Sequence, residues 1–194
     1  SQAATAPQEN PPATAPETQP APPALTPQER VTTGARTFTS GNDVREFTQY
    51  WDGMGQSLTS DQRNALTHYT SSRYFPTYRD INNYLRTGQG AHPQIDHDIA
   101  QLDALLEARP VPEDIVVVRG MDLDHIGMDP SQMPYHAEGF TDHAYMSTSL
   151  HRLPGMAREK QAIMHLRVPA GTPALWMDGL GEPRNPEREL LLGR

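Results

Sequence analysis

Around Pro110 the spacing of apolar residues along this chain changes period, and that change restricts the fold more than any other feature. Before it, apolar residues recur every three or four positions. Val44, Phe47 and Trp51 do so, as do Ala65, Leu66 and Tyr69, then Tyr78, Ile81, Tyr84 and Leu85, then Ile95, Ile99, Leu102, Leu105 and Leu106. This is the spacing of amphipathic helices. Thr59, with Gln62 three residues on, supplies a capping box, and Gly88 is placed to end the helix that begins near Tyr78. After Pro110 the apolar runs are short and separated by turn residues: "IVVVR" at 115–119, "AYMSTSL" at 144–150, "AIMHLRV" at 162–168, "ALWMD" at 174–178 and "RELLL" at 188–192. These read as strands. Helices first and strands later predict an α+β domain, not alternating βαβ units.

The pattern starts only at about residue 38. Residues 1–37 are a Pro- and Ala-rich leader or linker, because their first thirty positions hold one large aliphatic side chain, Leu25, and no aromatic. Such a segment cannot bury enough apolar surface to offset its ordering entropy and is expected to be disordered. The structured domain is therefore expected over 38–194. Acidic residues outnumber lysine and arginine by 24 to 16, a net charge of −8 that repels phosphate backbones and anionic membranes. Nucleic acid and membrane are excluded as default partners, and no apolar run is long enough to span a bilayer or to form a signal-peptide core. The chain has no cysteine, which removes disulfides, thiol catalysis and thiolate metal sites. None of its 8 histidines shows a ligand spacing, and the Asp122–Asp124 pair reads as a solvated turn, so no metal is expected.

Several residues are out of place for a purely structural chain. Arg119 closes an apolar strand, where an unpaired guanidinium is costly to desolvate, and Gly120 after it permits close approach of a ligand to the backbone. In "YMSTSL" strand alternation sets Ser147 and Ser149 on one face, able to orient a carboxylate or a ribose, with Thr148 on the other. Glu187 and Glu189 flank one arginine at the mouth of a strand of leucines. Like charges so spaced repel, and alone they would pass for a solvated loop end.

The order of these features along the chain matters more than any one of them. An arginine closes the first strand, a Ser-Thr-Ser strand follows, and an E-x-E opens the last. The set resembles the R-S-E class of mono-ADP-ribosyltransferase toxins, which includes the clostridial Rho-modifying exoenzymes and the actin-modifying binary toxins. The resemblance runs from about residue 42 to 192. It covers "INNYLR" with Arg86 as a phosphate-binding arginine, "VVVRGMDLDHIG" with Arg119, "AYMSTSL", and "PEREL". It implies N-terminal helices packed on a split two-sheet β core. It also implies a secreted or translocated monomer that uses NAD as substrate and modifies a protein such as actin or a small GTPase.

The resemblance further implies roles. Glu189 stabilises the oxocarbenium-like charge that develops as the nicotinamide–ribose bond breaks, and Ser147 holds that glutamate. Arg119 and Arg86 clamp the pyrophosphate, while the Gly120 backbone meets the nicotinamide amide and Ser149 joins the NAD-binding set. The first glutamate of E-x-E, here Glu187, accompanies arginine acceptors, since a protonated guanidinium is a poor nucleophile without a carboxylate to orient it. Rival readings are an NAD glycohydrolase with the same site and a catalytically silent NAD-binding or adaptor module.

Two departures stand out. After the Ser-Thr-Ser strand the class carries an aromatic and then a basic residue. "HRLPGMAREK" offers no aromatic, leaving Leu153 or Met156 in its place, and Arg152, Arg158 and Lys160 compete for the phosphate, with Arg158 taken into the NAD-binding set. The class also continues through further strands where only Gly193 and Arg194 follow Leu192. The "DGLGEPRNPE" segment at 178–187 resembles the class's target-recognition loop.

Overall fold

The computed structural model describes residues 2–122, 141–151, 160, 162–181 and 189–194. Five helices precede the strands: α1 (Pro27–Thr32), α2 (Gly41–Thr48), α3 (Ser60–Thr70), α4 (Tyr78–Thr87) and α5 (Pro93–Ala108), with two short 3₁₀ turns, Gln49–Trp51 and Met54–Ser57, after α2. Each start has a local cause. Thr59 and Thr77 make reciprocal capping boxes with Gln62 and Asp80, and Ser40 caps α2 through the Asp43 amide. Gly88, at φ 70°, ends α4 in the left-handed conformation that a side chain resists.

The strands are β1 (Ile115–Met121), β2 (Met146–Thr148), β3 (Ala162–Val168), β4 (Ala174–Trp176) and β5 (Leu190–Leu192). They form two antiparallel sheets, β1–β3 and β2–β5–β4. In the first, Ile115 faces Val168 and Gly120 faces Ile163; in the second, Thr148, Leu190 and Trp176 form one row. One residue joins the sheets. Ser149, just past β2, exchanges both backbone hydrogen bonds with Val118 of β1, each at 2.8 Å. Helix α5 packs between α3 and β4, and the core includes Leu66, Ile81, Leu102, Leu106, Leu175, Leu190 and Leu191, all without exposed surface. Burying a side chain of that kind stabilises the fold by roughly 1.5–3 kcal/mol.

Three differences from the sequence reading have physical causes. First, regular structure begins inside the segment read as leader. Thr26 and Glu29 cap α1, and Pro27 opens it. The turn at Gly34 then lets Arg36 pair with Ile115, while the Arg167 guanidinium holds the carbonyls of Val31 and Thr33. Composition does not register capping chemistry. Second, β2 and β5 are shorter than their apolar runs. Tyr145 leaves the ladder to pack edge-on against Tyr69 at 5.6 Å and to donate to Asp103 at 2.7 Å. At the other end Ser149 gives its backbone hydrogen bonds to Val118, so Glu189 precedes β5 instead of lying on it, although its carbonyl accepts from the Met177 amide at 2.9 Å. Third, Tyr78 is 37 % exposed and does not join the buried stripe of α4.

Candidate functional site

Antiparallel pairing of β2 with β5 brings the serines and the second glutamate together. Thr148 lies opposite Leu190, so the register carried one residue outward sets Ser149 opposite Glu189, with Ser147 on the same face. Thr148 points the other way, and its buried hydroxyl donates to the Leu190 carbonyl at 2.7 Å. Glu189 is itself buried, at 8 % exposure.

Arg119 enters from β1. Its Nη1 donates to the Ser147 carbonyl at 2.7 Å, so Ser147 meets the arginine through its backbone. The Arg119 Nε is buried and has no hydrogen-bond partner among the described residues. Burial lowers the guanidinium's pKa from its ordinary value; Asp142 opposes that, Arg86 adds to it, and Tyr69 and Glu189 oppose it more weakly. Gly120 follows in the β1–β3 ladder, paired with Ile163.

Arg86, in the last turn of α4, reaches the same place. Its Nε and Nη2 each bond one oxygen of Asp142 at 3.1 Å, a bidentate pair. Burial pushes the Asp142 carboxyl up, but the Arg86 hydrogen bonds, the Ala144 amide and the charges of Arg86 and Arg119 outweigh it and hold it below the ordinary carboxylate value. Tyr69 of α3 and Asn82 of α4 complete the group. Asn82 donates from Nδ2 to the Tyr69 hydroxyl at 3.1 Å, and its Oδ1 is buried without a partner among the described residues. Burial raises the Tyr69 phenol's pKa; Asn82 opposes this, the Glu189 charge reinforces it, and Arg119 and Arg86 oppose it.

The sequence reading missed Asp142, Asn82 and Tyr69. Asp142 carries no motif, and its partner Arg86 is 56 residues away. Tyr69 lies on a stripe that accounts for it as packing, and Asn82 is a polar residue beside the apolar stripe of its helix. Glu187, Arg152, Leu153, Met156 and Arg158 lie outside the described residues, as does Asp124. Lys160 bonds Asp122 at 3.0 Å, an exposed pair that contributes about 0–1 kcal/mol.

A cavity of about 600 Å³ lies elsewhere, lined by Thr39, Ser40, Gly41, Val44, Leu150, His151 and Trp176. Leu150 and Trp176 alternate with Ser149 and Met177, so they belong to the opposite face of the sheet from Glu189. The charged and orphaned polar atoms are in the Arg119 cluster and not in that cavity, and chemistry follows the former. Among the described residues no group of three His, Asp or Glu is arranged to hold a metal ion.

The model of the ADP-ribosyltransferase exoenzyme family matches residues 47–194. The chain belongs to the ADP-ribosyltransferase exoenzyme family. Solved toxins of this kind share its α+β fold. The C3 exoenzyme of Clostridium limosum superposes with a TM-score of 0.66 at 22% identity, over 82% of this chain and 85% of that one. Plx2a, an ADP-ribosyltransferase toxin from Paenibacillus larvae, gives 0.63 at 24% identity, over 78% and 81%. BECa, from a binary enterotoxin of C. perfringens and solved with NADH, gives 0.64 at 21% identity over 77% of this chain; the match spans only 39% of BECa. No curated protein sequence matches the chain. The helices-then-two-sheets order expected from the sequence is thus the fold of ADP-ribosylating exoenzymes.

Proposed function

We infer that this chain transfers ADP-ribose from NAD to an arginine side chain of a target protein and that it acts after secretion or translocation into a target cell. One observation carries the reading: Arg119 of β1, Arg86 of α4 and Glu189 before β5 all act electrostatically on Tyr69 of α3, around buried polar atoms that have no partner among the described residues. An orphaned donor, Arg119 Nε, and an orphaned acceptor, Asn82 Oδ1, suit a ligand that offers both, as a nucleotide does. Arg119 and Arg86 bind the pyrophosphate oxygens, and the Gly120 backbone, Ser149 and Arg158 hold the remainder of the NAD. The bond that breaks joins ribose C1′ to the nicotinamide nitrogen, whose electron pair leaves with neutral nicotinamide. Glu189, steadied by the Ser147 hydroxyl, stabilises the positive charge on the ribose. A guanidinium nitrogen of the target bonds to C1′ and gives up its proton, with Glu187 as the receiving or orienting carboxylate.

The roles of the two glutamates are separable. Labelled NAD is supplied to the protein with agmatine, a small guanidine, and nicotinamide release and transfer are measured in one preparation. Glu187→Gln is expected to keep slow nicotinamide release to water while transfer falls by roughly 10²–10⁴-fold, the range for a lost positioned base. Equal loss of both activities would put Glu187 in the donor site and remove the arginine-acceptor reading. Nicotinamide release by the wild type without transfer to any guanidine would make the protein a glycohydrolase.

A further inference from the structure

Among the described residues six large hydrophobic side chains are exposed, and three of them, Tyr74, Phe75 and Tyr78, fall within five positions at the entrance to α4. Tyr74 is 62 % and Phe75 55 % exposed, in a domain whose Tyr69 and Tyr145 are buried. The backbone presenting them is fixed on both sides. Before them the Arg73 amide donates to the buried Ser71 hydroxyl at 3.0 Å; after them Pro76 is buried, and Thr77 is tied to Asp80 by its capping box. Phe75 rests edge-on against His92 at 4.9 Å, and the Arg79 guanidinium lies over the Tyr78 ring and donates to its hydroxyl at 3.0 Å. Packing alone does not call for this arrangement, since exposing three rings forfeits burial energy.

The same loop carries positive charge. Arg73 and Arg79 have no carboxylate partner among the described residues, and the nearby Asp80 is turned into the cap. The chain as a whole is acidic, at −8. The patch is also next to the chemistry, because α4 carries Asn82 and Arg86 into the charged cluster. Eight residues of helix separate Tyr78 from Arg86, about 12 Å at 1.5 Å per residue. A surface of ordinary interface size covers both ends.

Resting on the transferase reading above, we propose that the Arg73–Arg79 loop is the docking surface for the protein acceptor, and that the acceptor meets it with an apolar depression rimmed by Asp and Glu. Rigid aromatic side chains flanked by arginine are the make-up of interface hot spots, and their fixed backbone limits the entropy lost on binding. A lipid surface fits less well. Two arginines cannot offset the repulsion between an acidic protein and an anionic leaflet, and the Tyr78 hydroxyl and Phe75 ring are already engaged laterally.

The test uses the full chain carrying Tyr74→Ser with Phe75→Ser, and separately Arg73→Glu, a surface change that leaves the core untouched. Three activities are read: the KM for NAD, transfer to agmatine, and transfer of labelled ADP-ribose to the proteins of a host-cell lysate. The proposal expects the first two to stay within about twofold of wild type. Transfer to protein should fall at least about tenfold, as for lost hot-spot contacts. Arg73→Glu should in addition weaken the dependence of protein transfer on salt. An equal fall toward agmatine, or unchanged transfer to protein, would overturn the proposal. So would wild-type transfer to agmatine with none to any lysate protein. Sedimentation of the wild type, but not of the double variant, with phosphatidylserine vesicles would reassign the loop to membranes. A wild type inert toward agmatine and protein alike would instead remove the transferase reading itself.

Discussion

Replacing Asp142 with asparagine probes how the Arg86 side of the site is held. The substitution keeps the shape, removes the charge, and turns one of two acceptor oxygens into an NH₂ that confronts the Arg86 Nη2 now bonded there at 3.1 Å. The magnitude lies between two limits. An exposed ion pair contributes about 0–1 kcal/mol, and breaking a buried one costs about 3–5 kcal/mol. The Arg86 side chain is 45 % exposed and that of Asp142 only 17 %, so solvent screens one partner and not the other. A loss near 2 kcal/mol follows, which for a domain of this size lowers Tm by roughly 4–8 °C. The pH dependence fixes the sign. The folded-state pKa of Asp142 is depressed, so its contribution is complete above the unfolded value of about 3.9 and disappears as pH falls through the lower folded value. The stability gap between wild type and Asp142→Asn should therefore be constant near neutrality and close only below about pH 4. The assay is urea unfolding from pH 3 to 7 on wild type, Asp142→Asn, Arg86→Ala and the double variant. A coupling energy of about 1–2 kcal/mol between the two positions is expected, and additivity within about 0.3 kcal/mol would refute the argument.

Arg119→Lys should weaken NAD binding by about tenfold or more in Kd, because an ammonium cannot both hold the Ser147 carbonyl and present a planar fork to phosphate. Calorimetry on the folded variant checks this. Gly181→Ala should destabilise the domain by about 2–3 kcal/mol, visible as a lower urea midpoint. The glycine sits at φ 75°, and an added Cβ would lie 2.5 Å from the Thr70 Oγ1, which is itself bonded to the Leu66 carbonyl.

Much of the fold was legible because its signals are local. Thr59 with Gln62 and Gly88 state where helices start and stop through chemistry contained within a turn. The change of apolar period gave the α+β order, and strand alternation put Ser147 and Ser149 on one face. Strand length was less legible, since a strand ends where its partner ends. Tyr145 reads as strand by composition, yet Tyr69 and Asp103 on helices take its ring and hydroxyl. The joining of two sheets at Ser149 depends on Val118, 31 positions earlier, and no local pattern announces it. Asp142 was invisible for a related reason. Its importance comes wholly from Arg86 on a distant helix, whereas Arg119 drew notice simply by being a charge at the end of an apolar strand. Chemistry carried by odd residues in regular elements can be read from sequence; chemistry assembled by tertiary pairing cannot.

The central claim is that the chain cleaves NAD at the nicotinamide–ribose bond with Glu189 stabilising the charge that forms. Nicotinamide release from NAD, followed side by side for wild type and Glu189→Gln, tests it most directly, since glutamine preserves volume and removes the charge. Release by the wild type and a fall of about 10²–10³-fold in the variant, at unchanged Tm, is the result expected for a lost electrostatic contact to the transition state. Near-normal release by Glu189→Gln would contradict the account.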